Sequence, residues 1–397
     1  MLGAIYTGLS GMNAHSKGLQ TISNNVTNMN TPGYKASTLT FSQAFSDGAG
    51  GLSYTLSSSA EQNGTGVHVA APTVDFRQGD LRQTGNKLDL AIQGSGFLAL
   101  LSGDKTFYVR TGQFTIDDSG YVVDQASGYR LAMLDGANQL VPISVDTKRT
   151  YPPAATTKIV FADNLSSTAT DATVANMAVY DSGGGKHVWQ AKFTPVGAAS
   201  PGEWKVAVTD EGGAAVGGGT IKFVAGTIDP ATAKIDIAAT PAGAAPLNVQ
   251  LDFSTGVTSF SSGSVTTLRA ASVDGIGAGA LTAVGIDGDG KVKLTYSNGK
   301  DSLLGPVAIA DFRDPRSLER VENGLFTANG IEQHRYVASG TEGAGKLVSG
   351  QIEASNVDLA DQFGELILIQ RGFQASSQVV SVSNDMIQQL FAMRGQG

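Results

Sequence analysis

The chain has 397 residues, room for two or three domains, and is 41% hydrophobic, which supports a buried core and argues against global disorder. Its 51 Gly against 12 Pro point to many tight turns between short strands rather than a collagen-like repeat. A net charge of −8 argues against general nucleic-acid affinity, and the lack of cysteine removes disulfides, thiol catalysis and thiolate metal sites.

Met1 is not followed by a basic and then an apolar region, so export without a cleaved signal peptide is expected. The longest apolar runs fall far short of the ~20 residues that span a bilayer, so no membrane insertion is expected.

The first element is a helix. Leu2, Ile5, Leu9 and Met12 recur at 3-4-3 spacing, and the phase continues through Ser16, Leu19, Ser23 and Val26. Residues 1–46 contain no Asp or Glu, and only Lys17 and Lys35 are basic. A helix with so few ion pairs and so much Asn, Thr, Ser and Gly is marginal alone and is expected to order on assembly. Residues 33–73 read as an extended connector, Gly/Ser-rich across Ser46–Gly66.

Period-two patterning then takes over. Strands are expected at Leu88–Ile92, Gly96–Leu101, Phe107–Arg110, Gln113–Ile116 and Tyr121–Asp124, with Asp117–Gly120 as a hairpin turn. Residues 146–284 form a Thr/Ala/Gly-rich block with strands at Thr157–Phe161, Met177–Tyr180, His187–Phe193 and Trp204–Val208. Gly183–Gly185 and Gly217–Gly219 are expected to interrupt it. The strand pattern returns over Val284–Ala310.

A second heptad seam closes the chain through Leu359, Phe363, Leu366, Gln370, Phe373, Ser377, Val380, Asn384, Ile387 and Phe391. Asn356 is the expected N-cap, with Asp358 and Asp361 in the opening turn. The expected fold is mixed and mainly β, nested β domains flanked by N- and C-terminal helices that pair as a coiled coil. Its domains are 1–32 with 355–397 (helical assembly domain), 33–73 (connector), 74–145 with 285–354 (inner β domain) and 146–284 (inserted outer β domain). The two seams are the expected assembly interface.

No chemistry is expected. The four His, at 15, 68, 187 and 334, are isolated and lack metal-helix spacing. Asp287-Gly288-Asp289-Gly290 resembles the start of a calcium loop, but its twelfth position is Asn298 rather than Glu. No phosphate loop or nucleophile elbow occurs. An enzyme is therefore not expected, nor any cofactor or metal. A polysaccharide hydrolase would need paired carboxylates in a cleft, and a β-rich adhesin would not need heptads at both ends.

Three segments resemble the flagellar rod, hook and hook-associated axial proteins. The first is Asn24-Asn25-Val26-Thr27-Asn28-Met29-Asn30-Thr31-Pro32-Gly33-Tyr34-Lys35, where Pro and Gly must end the helix. The second is Glu353-Ala354-Ser355-Asn356-Val357-Asp358-Leu359, followed by Gln370-Arg371-Gly372-Phe373-Gln374-Ala375. Family members often carry Ala-Asn after that Gln, where this chain has Ala375-Ser376-Ser377. The third is Gly94-Ser95-Gly96-Phe97 with Tyr108-Val109-Arg110-Thr111-Gly112-Gln113-Phe114. Within the family, the large central block and Ile286–Gly299 are similar to hook members, with a distal rod subunit as the alternative.

The resemblance implies an extracellular subunit of the flagellum that polymerises with itself into a hollow, flexible helical tube. That tube would act as a universal joint carrying motor torque to the filament. The implied partners are the distal rod, the hook cap, the hook–filament junction proteins and the type III export apparatus.

Overall fold

The computed structural model describes residues 2–45, 64–197, 200–240, 245–328 and 334–394. Most of the Gly/Ser-rich connector, 46–63, lies outside the described residues. The chain forms two compact units. One comprises Met1–Asp146, Val284–Lys293 and Leu303–Gly397, the other Thr147–Ala283 and Leu294–Ser302. Residues 294–302 were expected with the inner β domain and fall in the second unit instead. Leu294 and Tyr296 are buried there, and the Tyr296 hydroxyl donates to the Lys148 carbonyl at 2.9 Å.

Two helices belong to the first unit: α1, Leu2–Thr27, and α2, Leu359–Arg394. They run antiparallel, Gly18 facing Ile369, Gly11 facing Ser376 and Gly8 facing Val380. α1 stops just before Thr31-Pro32-Gly33, where Pro lacks a donor and Gly33 turns at φ +69°. At the start of α2, Asp358 rather than Asn356 is the N-cap. Its Oδ1 accepts from the Ala360 amide at 2.8 Å and the Asp361 amide at 3.3 Å. Asn356 is engaged elsewhere, with Ala36, Asp75 and Arg77.

The segment 33–73, expected as a plain connector, carries an antiparallel ribbon that pairs Phe41–Phe45 with Gly64–Val69. The ribbon lies on α1. A Cβ at Gly66 would sit 2.2 Å from Ser10 Oγ, and the Val67 amide donates to that oxygen at 3.2 Å.

The unit's main sheet is antiparallel and is woven from distant parts of the chain. Asp89–Gln93, Phe97–Ser102, Lys105–Val109, Thr111–Ile116, Val122–Asp124 and Arg130–Leu134 form its centre. Ile309–Phe312 pairs with Phe97–Ser102, and Lys346–Ser349 with Asp89–Gln93. The turn at Asp117–Gly120 closes through the Gly120 amide to the Asp117 carbonyl at 2.9 Å, with Gly120 at φ +78°. Phe97 sits in an aromatic cluster with Phe76, Phe312 and Phe326, centroids 5.6–5.8 Å away.

In the second unit the long strands Ala172–Tyr180, Lys186–Pro195, Glu203–Asp210 and Ala215–Val224 pair as successive antiparallel neighbours. Alternate residues Trp204, Val206 and Val208 point into a core that includes Trp189, Phe193, Phe161 and Phe253. Gly183–Gly185 is a turn, as expected, but Gly217–Gly219 lies inside a strand. Side chains at Gly217 and Gly219 would lie 2.9 Å from Ile237 and Ile235. The glycines there admit the strand Lys234–Ala239 at close range.

Candidate assembly surface and its anchor

The contact between α1 and α2 is built from small residues. Gly8, Gly11, Ala14, Gly18, Ile22 and Asn25 form the buried stripe of α1. Among the described residues of α2, Gln362, Ile369 and Ser383 are buried. A Cβ at Gly8 would lie 2.7 Å from Val380, one at Gly18 2.6 Å from Ile369, and one at Gly372 2.3 Å from His15. Backbones approach closely because nothing stands between them.

The two heptad seams read from sequence divide in the same way on both helices. On α1, Ile5, Met12, Leu19 and Val26 are half-buried along the flank of the contact, whereas Leu9 is 56% exposed and Ser16 and Ser23 face out. On α2, Leu366, Phe373, Val380 and Ile387 are half-buried, whereas Leu359, Phe363 and Phe391 are exposed with Gln370, Ser377 and Asn384. Leu2 opens α1. Tyr6, Ile367 and Leu368 add to the uncovered apolar surface. One heptad row of each helix thus flanks its partner and the other faces outward.

The helix pair is anchored at its base by a buried ionic node. Glu353 and Lys35 have fully buried side chains, with Lys35 Nζ 2.6 Å from Glu353 Oε1. Arg110 Nε stands 3.3 Å from Oε2, and the Gly79 amide donates to Oε1 at 2.8 Å. The guanidinium of Arg110 also donates to the Gly94 and Gly96 carbonyls, and Lys35 donates to the Arg77 carbonyl at 2.7 Å. The Glu353 main chain joins in, its carbonyl accepting from the Gly33 amide at 2.7 Å and its amide donating to Thr111 Oγ1 at 3.1 Å.

A second network locks the helices to this node. Asn25 Nδ2 donates to Gln362 Oε1 and to the Ser37 carbonyl, each at 2.8 Å. Its Oδ1 accepts from the Tyr34 hydroxyl and the Ser37 amide. Asn356 accepts from the Ala36 amide at 2.7 Å and donates to the Asp75 and Arg77 carbonyls. Arg320 lies over the Tyr34 ring, 4.7 Å from its centre, and donates to the Lys35 carbonyl and Ser37 Oγ.

Of the other signature residues, Asn24 contributes its carbonyl to Asn28, and Thr31 bonds Asn28 Oδ1 at 3.1 Å. Pro32 is exposed and Val357 half-buried, while Gln370 and Arg371 face outward on α2.

Comparison with known proteins falls on these same elements. A flagellar hook protein FlgE of Treponema pallidum is 30% identical over 99% of this chain and 100% of its own length. The chain belongs to the flagellar hook protein FlgE family. Flagellar hook protein FlgE of Escherichia coli is 30% identical, and that of Salmonella typhimurium 29% identical, each over 97% of this chain and 98% of its own. Residues 5–35 match the family described as Flagella basal body rod protein, and 348–393 that described as Flagellar basal body rod FlgEFG protein C-terminal. Residues 91–174 match the Flagellar hook protein FlgE/F/G D1 domain, and 144–276 the Flagellar basal body protein FlaE D2 domain. The chain is thus a hook-family subunit, and the distal-rod alternative is not favoured.

The node takes one charged residue from each of three FlgE-family segments: Lys35, Arg110 and Glu353. All three stand within the segments whose resemblance was read from sequence, yet none was assigned a role there. Lys35 carried the clearest available signal, being one of only two basic residues in the first 46.

With two cations around one carboxylate, the node holds Lys35 below the ordinary lysine range. Burial is the main cause, opposed by the charge and hydrogen bond of Glu353. Arg110 lowers it further and Asp75 acts the other way. Below the depressed value the lysine is charged in both folded and unfolded chains, and its burial penalty is felt in full. Between that value and 10.5 the unfolded chain holds a proton the folded chain has shed, so this group makes stability rise with pH. Tyr108, raised by burial and by its bond to Tyr336, contributes the opposite slope at high pH. Denaturant titrations of the native chain and Lys35→Met across alkaline pH separate the two. The native-minus-variant difference should climb by up to about 1.4 kcal/mol per pH unit. A flat difference would place the ammonium in solvent.

Proposed function

We propose that this protein is the building block of a hollow, flexible helical tube outside the cell, a universal joint that passes motor torque to the flagellar filament. It polymerises with itself through its terminal helices and catalyses nothing. The observation that carries this reading is the outward heptad row on each helix, Leu9 on α1 and Leu359, Phe363 and Phe391 on α2, exposed on a helix pair whose own contact is already complete. Fully burying such a side chain is worth about 1.5–3 kcal/mol, and many copies in a lattice share that gain. The node suits torque, because it ties both helices to the sheet through charge-assisted bonds rather than a single flexible loop.

By family resemblance its further partners are the distal rod, the hook cap, the hook–filament junction proteins and the type III export apparatus. Electron microscopy of the concentrated purified chain tests the reading. Helical tubes or ordered bundles are expected, and discrete monomers at every concentration would overturn it.

A further inference from the structure

We infer that Asn323-Gly324 is a site of spontaneous covalent modification, where the chain converts its own asparagine to aspartate and isoaspartate through a cyclic imide. The site is independent of assembly.

Two Asn-Gly pairs lie wholly among the described residues, 298–299 and 323–324, and the fold treats them differently. Glycine after asparagine leaves the next main-chain nitrogen open to the side-chain carbonyl carbon, because no Cβ shields it. Whether the reaction runs then depends on whether the folded chain lets the two atoms meet.

At Asn298 they are held apart. Its Nδ2 donates to the Gly277 carbonyl at 2.9 Å, and its Oδ1 accepts from the Lys300 amide at 3.1 Å. The Gly299 amide, the nucleophile in such a reaction, donates to the Tyr296 carbonyl at 3.0 Å. A Cβ at Gly279 would lie 2.5 Å from Asn298 Cγ, so the carboxamide is packed as well as bonded.

Asn323 stands at the tip of the hairpin that pairs Glu319–Arg320 with Phe326–Thr327. It is exposed, and its Nδ2 reaches the Ala126 carbonyl only at 3.5 Å, the outer limit of a hydrogen bond. Its backbone is left-handed, with φ +59° and ψ +29°, a conformation that L residues leave readily. At that ψ the Gly324 nitrogen points away from Cγ, so attack waits on a rotation of the tip. Gly324 has nothing within 4 Å of a built Cβ, so the rotation displaces no packed neighbour there.

The chemistry needs only the chain and water. The Gly324 nitrogen loses its proton and bonds to Asn323 Cγ, the Cγ–Nδ2 bond breaks, and Nδ2 leaves as ammonia carrying that proton. One water then opens the five-membered imide. Opening at Cγ yields aspartate, and opening at the main-chain carbonyl yields isoaspartate. Either product puts a new carboxylate at the wall of a cleft of about 450 Å³ that Arg320 and Tyr34 also line. The mark accumulates with the age of each copy.

The test incubates the full chain in mildly alkaline buffer, folded and in denaturant, and follows each asparagine by peptide mass spectrometry. Cleavage after Phe326 separates Asn323 from Asn329, which lies outside the described residues. Isoaspartate is counted by methyl transfer with an isoaspartate methyltransferase. In the folded chain Asn323 should convert about 10–1,000-fold faster than Asn298, the effect of three hydrogen bonds that must open first. Denaturant should bring the two sites together, and raising the pH should speed both. Equally slow conversion of both sites in the folded chain would show that the tip is held and would overturn the inference. Faster conversion at Asn298, or aspartate at position 323 without isoaspartate, would overturn it too.

Discussion

A Glu353→Gln chain is expected to lose about 3–5 kcal/mol of stability in the unit that carries the helices, as when one partner of a buried ion pair is removed. The amide is nearly isosteric, so no cavity forms. What disappears is the one negative charge between Lys35 and Arg110, both buried. Oε1 remains an acceptor for the Gly79 amide and the Lys35 ammonium, but the amide nitrogen replaces the oxygen that faced Arg110, which keeps only the Ile92, Gly94 and Gly96 carbonyls, and Lys35 loses its opposing charge. Lys35 can relieve part of the strain by shedding its proton, which burial already favours. Adding Lys35→Met to Glu353→Gln should therefore recover part of the loss, a coupling that a double-mutant cycle reads directly. Thermal and denaturant unfolding would measure it. A loss below about 1 kcal/mol, the size found for exposed pairs, would mean that water reaches the node.

The reason this node escaped sequence reading is physical. Lys35 and Glu353 are 318 residues apart, and a lone charge in a polar segment reads as surface unless its partner is known. Strands were legible because alternation reports a half-buried face directly. The expected Gln113–Ile116 and Tyr121–Asp124 stand within two residues of Thr111–Ile116 and Val122–Asp124. The pairing of the terminal helices was legible too, but the face of α1 that meets α2 was not. Hydrophobic periodicity weights large side chains and picked Leu9, Met12, Ser16, Leu19, Ser23 and Val26. The stripe that approaches α2 is the row one residue earlier, Gly8, Gly11, His15, Gly18, Ile22 and Asn25, with the same 3-4 spacing. Its strength lies in closeness rather than in buried area per residue, and glycine carries no weight in a hydrophobic pattern. Asn356 misled for a related reason: Asn suits a cap, but here its three hydrogen bonds go to the backbone around the node, leaving the cap to Asp358.

Two glycines on α2 should therefore respond to the same substitution with opposite sign. Replacing an exposed helical Gly by Ala raises stability by about 1 kcal/mol through backbone entropy alone. Gly364 has no atom within 4 Å of a built Cβ, so Gly364→Ala should give that gain. Gly372 has the His15 ring there, with Cε1 at 2.3 Å, Nε2 at 2.5 Å and Nδ1 at 2.9 Å. The ring is backed by Phe41, centroids 5.7 Å apart, which limits its retreat. Gly372→Ala gains the same propensity but forces the helices apart or the ring off its rotamer, at a cost of about 1–3 kcal/mol. The difference between the two variants cancels propensity and isolates the contact. Helical circular dichroism followed through thermal unfolding would show Gly372→Ala melting earlier than Gly364→Ala. His15→Ala in the Gly372→Ala background should remove the clash and restore the helical transition toward that of His15→Ala alone. Equal effects at the two glycines would mean that α1 and α2 do not touch within one chain. The heptad rows would then be free to pair only between copies.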